Sequence, residues 1–525
     1  MSEIKILSVE ESQELDRKTI QGHHVRGQEL MKRAGELVAS HVADICIKKK
    51  FSKEILILCG KGNNGGDAYV AAYNLYEKGF VPRVILTCPS SEITRDAGIH
   101  YEKMFALPID IREIKEPSQF GEILLSFTGN ILIDGLLGTG FKPPIKEFYG
   151  ALIDLVNEQK LFVVSIDIPS GMHGNEELQD HDKAIRADKT LTIGSVKPSL
   201  LKRKNINHCG QIMALDIGFP PSLIQSFHSP FSVFTLHDLK AALPKRKRNS
   251  HKGDFGHVLI IGGEKDFLGA LVLAGLGSVK SGAGLVTLCP LQKESCAFLH
   301  VKLTEAMTLD PSVLLNTSAK VIDGILQKFD AIGIGPGLGT SEEALQLLKI
   351  ILRTGLLSPV VLDADALNLL AGKKIEPEKN NKRPLIMTPH PGEAARLLST
   401  NVDEIENDRM SSILKLNKQW NATIVLKGSH TLVSDSAFCH LHLTGTPAMA
   451  SGGMGDVLTG QIAGYLAQGF SPVQSCDLGV ALAGLSAQDL EDQYGPFGFT
   501  ATQMAENIPS TAKNLEKIEK KSYWI

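Results

Sequence analysis

The sequence predicts an α/β protein of two domains, each built on a mainly parallel sheet. The chain has 525 residues, which is more than one hydrophobic core usually holds. Short apolar runs alternate with intervals of helical length, as in βαβ units. This pattern is interrupted by the proline- and serine-rich stretch 216–231, which is typical of a joint between domains, and it resumes after that stretch.

In the first half, the run 54–60 (EILILCG) predicts a buried strand, followed by a glycine turn and an amphipathic helix near 67–78. Further strands are predicted within RVILT, NILIDG and LFVVSIDIPSG. In the second half, strands are predicted within GHVLIIGG, AGLVTLCP, FDAIGIGPGLG, PVVLDADALN, PLIMTPHPGE and ATIVLKGS, with helices following to the end. We therefore predict domains over 1–220 and 235–525, with a linker at 221–234.

Composition narrows the class of protein. The formal net charge of −3 argues against a nucleic-acid binder, and 43% apolar with 22% charged residues is ordinary for a globular protein. The eight cysteines form no CxxC pair, which favours reduced and mostly buried thiols. The charged first residues do not resemble a secretory signal, and no apolar run reaches membrane-spanning length. We expect a cytoplasmic protein without a membrane partner.

The strongest chemical signal is the stretch 446–460, TPAMASGGMGDVLTG. Its glycines let backbone N–H groups surround an oxyanion, and the helix expected near Asp456 adds its positive end. That end should also keep Asp456 ionised. A carboxylate beside a bound phosphoryl group is useful as the base that deprotonates an attacking hydroxyl. The alternative is a glycine-rich helix cap in which Asp456 only caps.

Other polar motifs lie at predicted strand ends, where ligands bind in open parallel sheets: GPGLG (335–339), DADALN (363–368), TPHPGE (388–393) and KGSH (427–430). Lys427 suits a phosphate, although a surface lysine would look the same in sequence. His390 is either a ligand contact or a packed histidine.

Taken in order, these motifs resemble the NAD(P)H-hydrate dehydratase branch of the ribokinase-like superfamily over residues 235 to 510. The resemblance implies a ribokinase-like αβα domain that phosphorylates the C6 hydroxyl of a hydrated nicotinamide ring, so that phosphate can leave. It implies ADP or ATP as phosphoryl donor, with Mg²⁺, and the fusion of two such halves in one chain favours ADP. It also implies Asp456 as the base. The implied contacts to the hydrate are Ala270, Gly337, His390 and Asp456. The implied nucleotide contacts are Lys427, Gly428, Ser429, His430, Thr431, Thr446, Pro447, Ala448, Met449, Ala450, Ser451, Gly452, Gly453, Met454 and Gly455.

The first half carries a second glycine turn, GKGNNGGDAYVAA (60–72), whose amides can grip a diphosphate. A plain βα turn is the alternative, and the spacing does not match GxGxxG. With ELMKRAGE (29–36), LIDGLLGTG (132–140), SIDIPSGMHG (165–174) and LTIGSVKPSLL (191–201), it resembles the NAD(P)H-hydrate epimerase family over residues 5 to 220.

That second resemblance implies a Rossmann-like three-layer αβα domain that inverts C6 of the hydrate. Inversion needs a group that protonates the departing hydroxyl and deprotonates the incoming water, and Asp167 is our candidate. Asp167 would otherwise only cap its loop. Asn64, Asp134 and Ser170 are implied as ligands of K⁺, although Asp134 would also suit a structural role. The implied substrate contacts are Asn63, Asn64, Gly65, Gly66, Asp67, Gly138, Thr139, Gly140, Phe141, Lys142, Pro143, Pro144 and Asp167.

Together the halves predict a repair enzyme that epimerises both hydrate forms and dehydrates one of them, acting as a homo-oligomer. Two other functions remain open. One is a kinase for a small-molecule hydroxyl, in which Asp456 and the glycine turn keep their roles. The other is a first half that only binds a nucleotide.

Overall fold

The computed structural model describes residues 4–353, 357–373, 375 and 383–516, which form two compact units divided between Val233 and Phe234. The strands of the first unit are β1 Ile4–Lys5, β2 Glu54–Cys59, β3 Val81–Leu86, β4 Asp110–Glu113, β5 Ile131–Gly135, β6 Phe162–Ile166, β7 Lys189–Ile193, β8 Gln211–Leu215 and β9 Phe231–Val233. Its helices are α1 Val9–Gly22, α2 Gly27–Lys49, α3 Asn63–Glu77, α4 Arg95–Phe105, α5 Pro117–Ser126, α6 Glu147–Asn157, α7 Ile206–Cys209 and α8 Pro221–Gln225.

The first unit is a parallel sheet covered by helices on both faces. Its strand order is β4-β3-β2-β5-β6-β7-β8, while β1 and β9 pair antiparallel with each other. Along β2, Ile55 and Ile57 pack against α2 and α3, whereas Leu56 and Leu58 pack against α5 and α6. This alternation confirms the predicted three-layer αβα architecture.

The second unit also surrounds a mainly parallel sheet. Its strands are β10 His257–Gly262, β11 Leu285–Pro290, β12 Met307–Thr308, β13 Ala331–Ile334, β14 Val360–Leu362, β15 Leu385–Met387, β16 Thr423–Leu426, β17 Thr431–Ser434 and β18 Cys439–His442. Its helices are α9 Leu236–Ala242, α10 Leu268–Lys280, α11 Cys296–Lys302, α12 Ser312–Leu315, α13 Ala319–Leu326, α14 Glu342–Arg353, α15 Ala364–Lys373, α16 Pro391–Leu398, α17 Val402–Asn407, α18 Arg409–Trp420, α19 Met454–Ala467, α20 Pro472–Tyr494 and α21 Ala501–Glu516.

The order in this sheet is β18-β17-β16-β15-β14-β13-β10-β11-β12, parallel from β12 to β16 and antiparallel from β16 to β18. Val258 and Ile260 of β10 pack with α10 and α19, and Leu259 and Ile261 on the opposite face are equally buried. The predicted α/β fold class is confirmed, and so is each strand predicted in this half.

Three predictions need correction. The strand predicted in ATIVLKGS is followed by two further strands, β17 and β18, and not only by helices. Helix α3 begins at Asn63 rather than near residue 67, because the glycine pair itself enters the helix. The stretch predicted as a joint holds α8 and β9, and Leu223, Ile224 and Phe227 are buried against a core that includes Leu7 and Leu15. Pro220 and Pro221 therefore mark the start of α8.

All eight cysteines are free, and all but the partly exposed Cys296 are buried, as predicted. In the part of the chain that the structure describes, no helix is both long and apolar enough to span a membrane.

Candidate functional site

Asp456 lies in the first turn of α19, directly after the glycine turn. Gly453 precedes this helix with φ +93°, a left-handed conformation that suits glycine. A side chain on Gly452 would meet only open space, so the turn leaves room for a ligand. Helix α19 packs closely on α10, since a Cβ on Gly460 would lie 1.8 Å from the carbonyl oxygen of Ala274.

A charged cluster adjoins Asp456 at the strand ends. Lys427 follows β16, and its Nζ donates to Asp363 Oδ1, which follows β14, at 2.8 Å. Asp363 also accepts from Thr459 Oγ1 of α19 at 2.7 Å. A Cβ on Gly455 would lie 3.4 Å from Lys427 Nζ, so the lysine faces the glycine turn. Asp363 thus connects three elements around the place where a phosphoryl group would bind.

The expectation that Asp456 is firmly ionised is wrong. Burial, together with the charges of Asp363 and Asp365, raises the pKa of Asp456 to about 7, although Lys427 opposes the shift. The positive end of a helix contributes less than this desolvation and repulsion between carboxylates.

Lys427 stays protonated because of the acidic groups around it. Burial alone would lower its pKa, but the charges of Asp363 and Glu393 raise it above the usual value for lysine. Glu393 lies 3.9 Å from Lys427 Nζ, and burial raises the pKa of Glu393 to about 7. The cluster therefore has one firm positive charge, on Lys427, and two carboxyl groups with a pKa of about 7, those of Asp456 and Glu393.

His390 is the N-cap of α16. Its Nδ1 accepts from Gly392 N at 3.0 Å, while the side chain of Glu393 accepts from His390 N at 2.8 Å. The imidazole is half exposed and lies 3.5 Å from Glu393. Burial and nearby Lys427 lower the pKa of His390, which favours a neutral ring.

Gly337 and Ala270 are neighbours, since a Cβ on Gly337 (φ +56°) would lie 3.1 Å from the Ala270 methyl. Ala270 is one turn before Leu273 on α10, and Leu273 contacts Gly453. The first turns of α10 thus connect the 335–339 loop with the glycine turn. Asp365, whose charge helps to raise the pKa of Asp456, also accepts a hydrogen bond from Gly339 N at 2.8 Å.

The segment 427–431 is organised by buried Arg409. Its guanidinium donates to the carbonyl oxygens of Leu426 and Lys427 at 3.0 Å and to that of His430 at 3.3 Å. Gly428 and Ser429 are exposed, and Thr431 Oγ1 donates a hydrogen bond to Gly428 O.

The segment 446–451 is tied to α20. Thr446 Oγ1 donates to Glu491 at 2.7 Å and accepts from Ala448 N, capping the 3₁₀ helix Pro447–Met449. Ala450 and Ser451 are exposed, whereas Met454 is buried in the first turn of α19.

In the first unit, Asp167 follows β6 with φ +66° and forms an ion pair with the buried Lys197, while Asp167 itself is partly exposed. Lys197 Nζ donates to Asp167 Oδ1 at 2.5 Å and to the carbonyl oxygen of Ile193 at 2.8 Å. Asp67 of α3 is buried and close enough to Asp167 and Lys197 to interact electrostatically. The glycine turn and the predicted base are thus brought together.

A second polar cluster surrounds the buried Asp134. Its carboxylate accepts from Ser170 Oγ at 2.5 Å, from Ser170 N at 2.9 Å and from Ser165 Oγ at 2.7 Å. Asn64 Nδ2 donates to Leu137 O, which also accepts from Ser170 Oγ, and Asn64 Oδ1 is buried with no hydrogen-bond partner in the part of the chain that the structure describes. Burial raises the pKa of Asp134, and the hydrogen bonds from Ser170, Ser165 and Leu136 oppose that shift.

The 138–144 loop contacts the rest of the candidate site in the first unit through only some of its residues. A Cβ on Gly138 would lie 3.2 Å from Asn64, and one on Gly174 would lie 3.5 Å from Thr139. Phe141 N donates to Gly138 O. Gly140, Lys142, Pro143 and Pro144 are exposed, and within the described residues no hydrogen bond joins them to Asp167.

Sequence reasoning gave no roles to Lys197, Asp363 or Glu393, although each lies in a motif that it noted. The available signal was a charged residue directly after a buried strand for Asp363 and at a helix start for Glu393, whereas Lys197 lies further along the loop after β7. Their ion pairs depend on distant segments, since Asp363 and Lys427 are 64 positions apart.

Two family models match the chain. One, described as NAD(P)H-hydrate dehydratase, matches residues 258–510, and one described as YjeF-related protein N-terminus matches 27–199. Among solved structures, the ADP/ATP-dependent NAD(P)H-hydrate dehydratase from Bacillus subtilis is 31% identical, with a TM-score of 0.48, covering 54% of this chain and 98% of that one.

Two bifunctional NAD(P)H-hydrate repair enzymes match nearly end to end. That of Moorella thermoacetica is 32% identical and covers 98% of this chain and 97% of its own length. That of Coxiella burnetii is 34% identical and covers 91% and 94%, respectively. With the acidic cluster at Asp456 in one unit and the Asp167–Lys197 pair in the other, the chain belongs to the family of bifunctional NAD(P)H-hydrate repair enzymes.

Proposed function

We propose that this chain interconverts the C6 epimers of NADH and NADPH hydrates in its first unit, residues 1–220, and dehydrates the S epimer in its second, residues 235–525. The observation that carries the proposal is the position of Asp456, between a glycine turn open to a ligand and the Lys427–Asp363 ion pair. This is the arrangement that phosphoryl transfer to a hydroxyl requires.

In the dehydratase reaction, Asp456 takes the proton from the C6 hydroxyl as its oxygen attacks the terminal phosphorus of ADP. The amides of Gly452, Gly453 and Gly455 hold the transferring group, and Lys427 balances its charge. AMP departs first. The ring nitrogen lone pair then expels phosphate from C6, and loss of a proton from C5 restores the reduced nicotinamide.

Ala270, Gly337 and His390 face the hydrate in this proposal, and the 427–431 and 446–455 segments contact the nucleotide. The described residues include no group of three or more His, Cys, Asp or Glu side chains that could hold a metal. Mg²⁺ therefore fits as an ion carried by the ADP phosphates and water, where it would neutralise developing charge.

In the epimerase reaction, Asp167 exchanges protons with oxygen at C6 while the ring passes through a flat cation. Residues 63–67 and 138–144 contact the hydrate. A potassium ion fits beside Asp134, Ser170 and Asn64, because the buried Asn64 Oδ1 lacks a hydrogen-bond partner among the described residues and the buried Asp134 is held by neutral donors. When bound, K⁺ would supply positive charge for a phosphate group of the substrate.

The decisive experiment incubates the protein with a mixed-epimer hydrate, ADP, Mg²⁺ and K⁺. We expect complete recovery of reduced-nicotinamide absorbance, with one AMP and one phosphate per molecule repaired. A stable phosphorylated product would instead identify a small-molecule kinase. Replacing ADP with ATP in the same assay identifies the preferred donor.

We further propose that the enzyme works in the cytoplasm as a homo-oligomer. The free, mostly buried thiols fit a reducing compartment. Fractionation and light scattering test the two parts of this proposal.

A further inference from the structure

Asp67 is a buried residue whose carboxyl group accepts no hydrogen bond from the described residues. It is only 8% exposed. It lies in the first turns of α3, within the glycine segment that we propose as a substrate contact. A buried carboxyl group of this kind favours its neutral form, in which it carries a proton that it can donate.

Asp167 has the opposite environment. Its Oδ1 accepts from Lys197 Nζ at 2.5 Å and from Ile193 N at 3.1 Å, with Thr192 Oγ1 at 3.4 Å. No described residue donates to Oδ2. Asp167 is therefore held by the Lys197 ammonium through one carboxylate oxygen, and the other oxygen is available to a ligand.

The charged groups around Asp67 belong to three other segments: Asp16 of α1, Asp167 after β6 and Lys197 after β7. Burial, followed by the charges of Asp167 and Asp16, raises the pKa of Asp67 well above its usual range. Lys197 opposes this shift but bonds directly to Asp167, so its positive charge compensates Asp167 more closely than Asp67. Such a pair suits a reaction that needs an acid and a base together.

We propose that Asp67 is a second catalytic residue of the epimerase, which donates the proton to the departing C6 hydroxyl while Asp167 accepts one from the incoming water. This inference rests on the proposed epimerase function. It gives Asp67 one of the two proton transfers that sequence analysis gave to Asp167 alone.

The steps balance without an added reactant. The C6–O bond breaks, the oxygen leaves as water with the proton of Asp67, and the ring nitrogen lone pair forms a C=N bond. A water molecule then adds to C6 from the other face and gives a proton to Asp167. Transfer of that proton back to Asp67 through solvent returns both groups to their starting states.

The test measures the rate of epimer interconversion against pH for the full-length Asp67→Asn and Asp167→Asn variants, after subtraction of the uncatalysed rate. At pH 7 we expect the rate of epimer interconversion to be at least 100-fold lower in each variant than in wild type. Residual activity of Asp67→Asn should rise about tenfold for each unit that the pH falls, because hydronium replaces the missing acid. Residual activity of Asp167→Asn should not rise in this way.

Asp188→Asn is the matched control, because its carboxylate bonds Val163 N at the opposite ends of the strands. It should keep the wild-type profile. Thermal unfolding checks that each variant folds, and Asp67→Asn should fold well because it removes a buried acid that accepts no hydrogen bond from the described residues. If the rate of Asp67→Asn depends on pH in the same way as the wild-type rate, whatever its absolute value, the inference is overturned. Wild-type protein that does not interconvert epimers would instead reject the epimerase function itself.

Discussion

At the scale of single residues, Asp456 combines a catalytic demand with a cost in stability. We expect Asp456→Asn to lower dehydration at least 100-fold while leaving ADP affinity within about threefold of wild type, because the glycine amides and Lys427 remain. Single-turnover assays and equilibrium binding separate the two effects. Loss of ADP binding would contradict the assignment of Asp456 as the base.

The same variant should be more stable than wild type at alkaline pH. The raised pKa of Asp456 means that the folded state keeps a proton which the unfolded chain releases above about pH 4, so the charge destabilises the fold increasingly up to about pH 7. Asn avoids this effect. We expect a gain of about 1–2 kcal/mol at pH 8, after allowance for partial exposure, and no gain at pH 3.5. Denaturant unfolding at the two pH values measures it.

Dehydration should depend on pH with an acid limb near neutrality. Asp456 must lose its proton to act, and its pKa is about 7, so kcat/KM should fall roughly tenfold per unit below that pH. Glu393 titrates in the same range, and the observed value belongs to the coupled carboxyl groups. A flat profile between pH 5.5 and 8 would show that another group is the base.

At the scale of elements, the contact between α10 and α19 fixes where Asp456 lies. A Cβ on Gly460 would lie 1.8 Å from Ala274 O, so Gly460→Ala must separate the helices. We expect a loss of about 1–3 kcal/mol in unfolding free energy and a lower dehydration rate. Gly324→Ala on α13 is the control, because a side chain there meets open space, and it should be neutral or slightly stabilising.

Some elements could be predicted from the sequence and others could not. Buried strands such as β2 and β10 were predicted because continuous apolar runs between turn residues identify them locally. The strands β17 and β18 were missed, since each is only four residues long and half of its residues are polar. In the site, glycine patterns identified Asp456 and the α3 turn. The ion pairs of Lys197 and Asp363 depend on segments that only the folded sheet brings together.

At the scale of the whole molecule, the two units should act in sequence on one pool of substrate. We expect Asp167→Asn to repair only the S share of a mixed-epimer hydrate rapidly, with the remainder limited by uncatalysed epimerisation. Wild-type protein should reach completion in a single phase. The progress curve of absorbance recovery measures this, and purified S epimer serves as the control substrate. A complete single-phase curve for the variant would remove Asp167 from the epimerase.

The left-handed backbone at position 167 limits which substitutions are informative there. Asparagine accepts φ +66° readily, whereas alanine pays about 1 kcal/mol for it, so an alanine scan would mix conformational strain with lost chemistry. In a saturation library at this position, ranking the variants by protein abundance should therefore give a different order from ranking them by repair activity. Asparagine and glycine should lead in abundance, and only aspartate should score in repair.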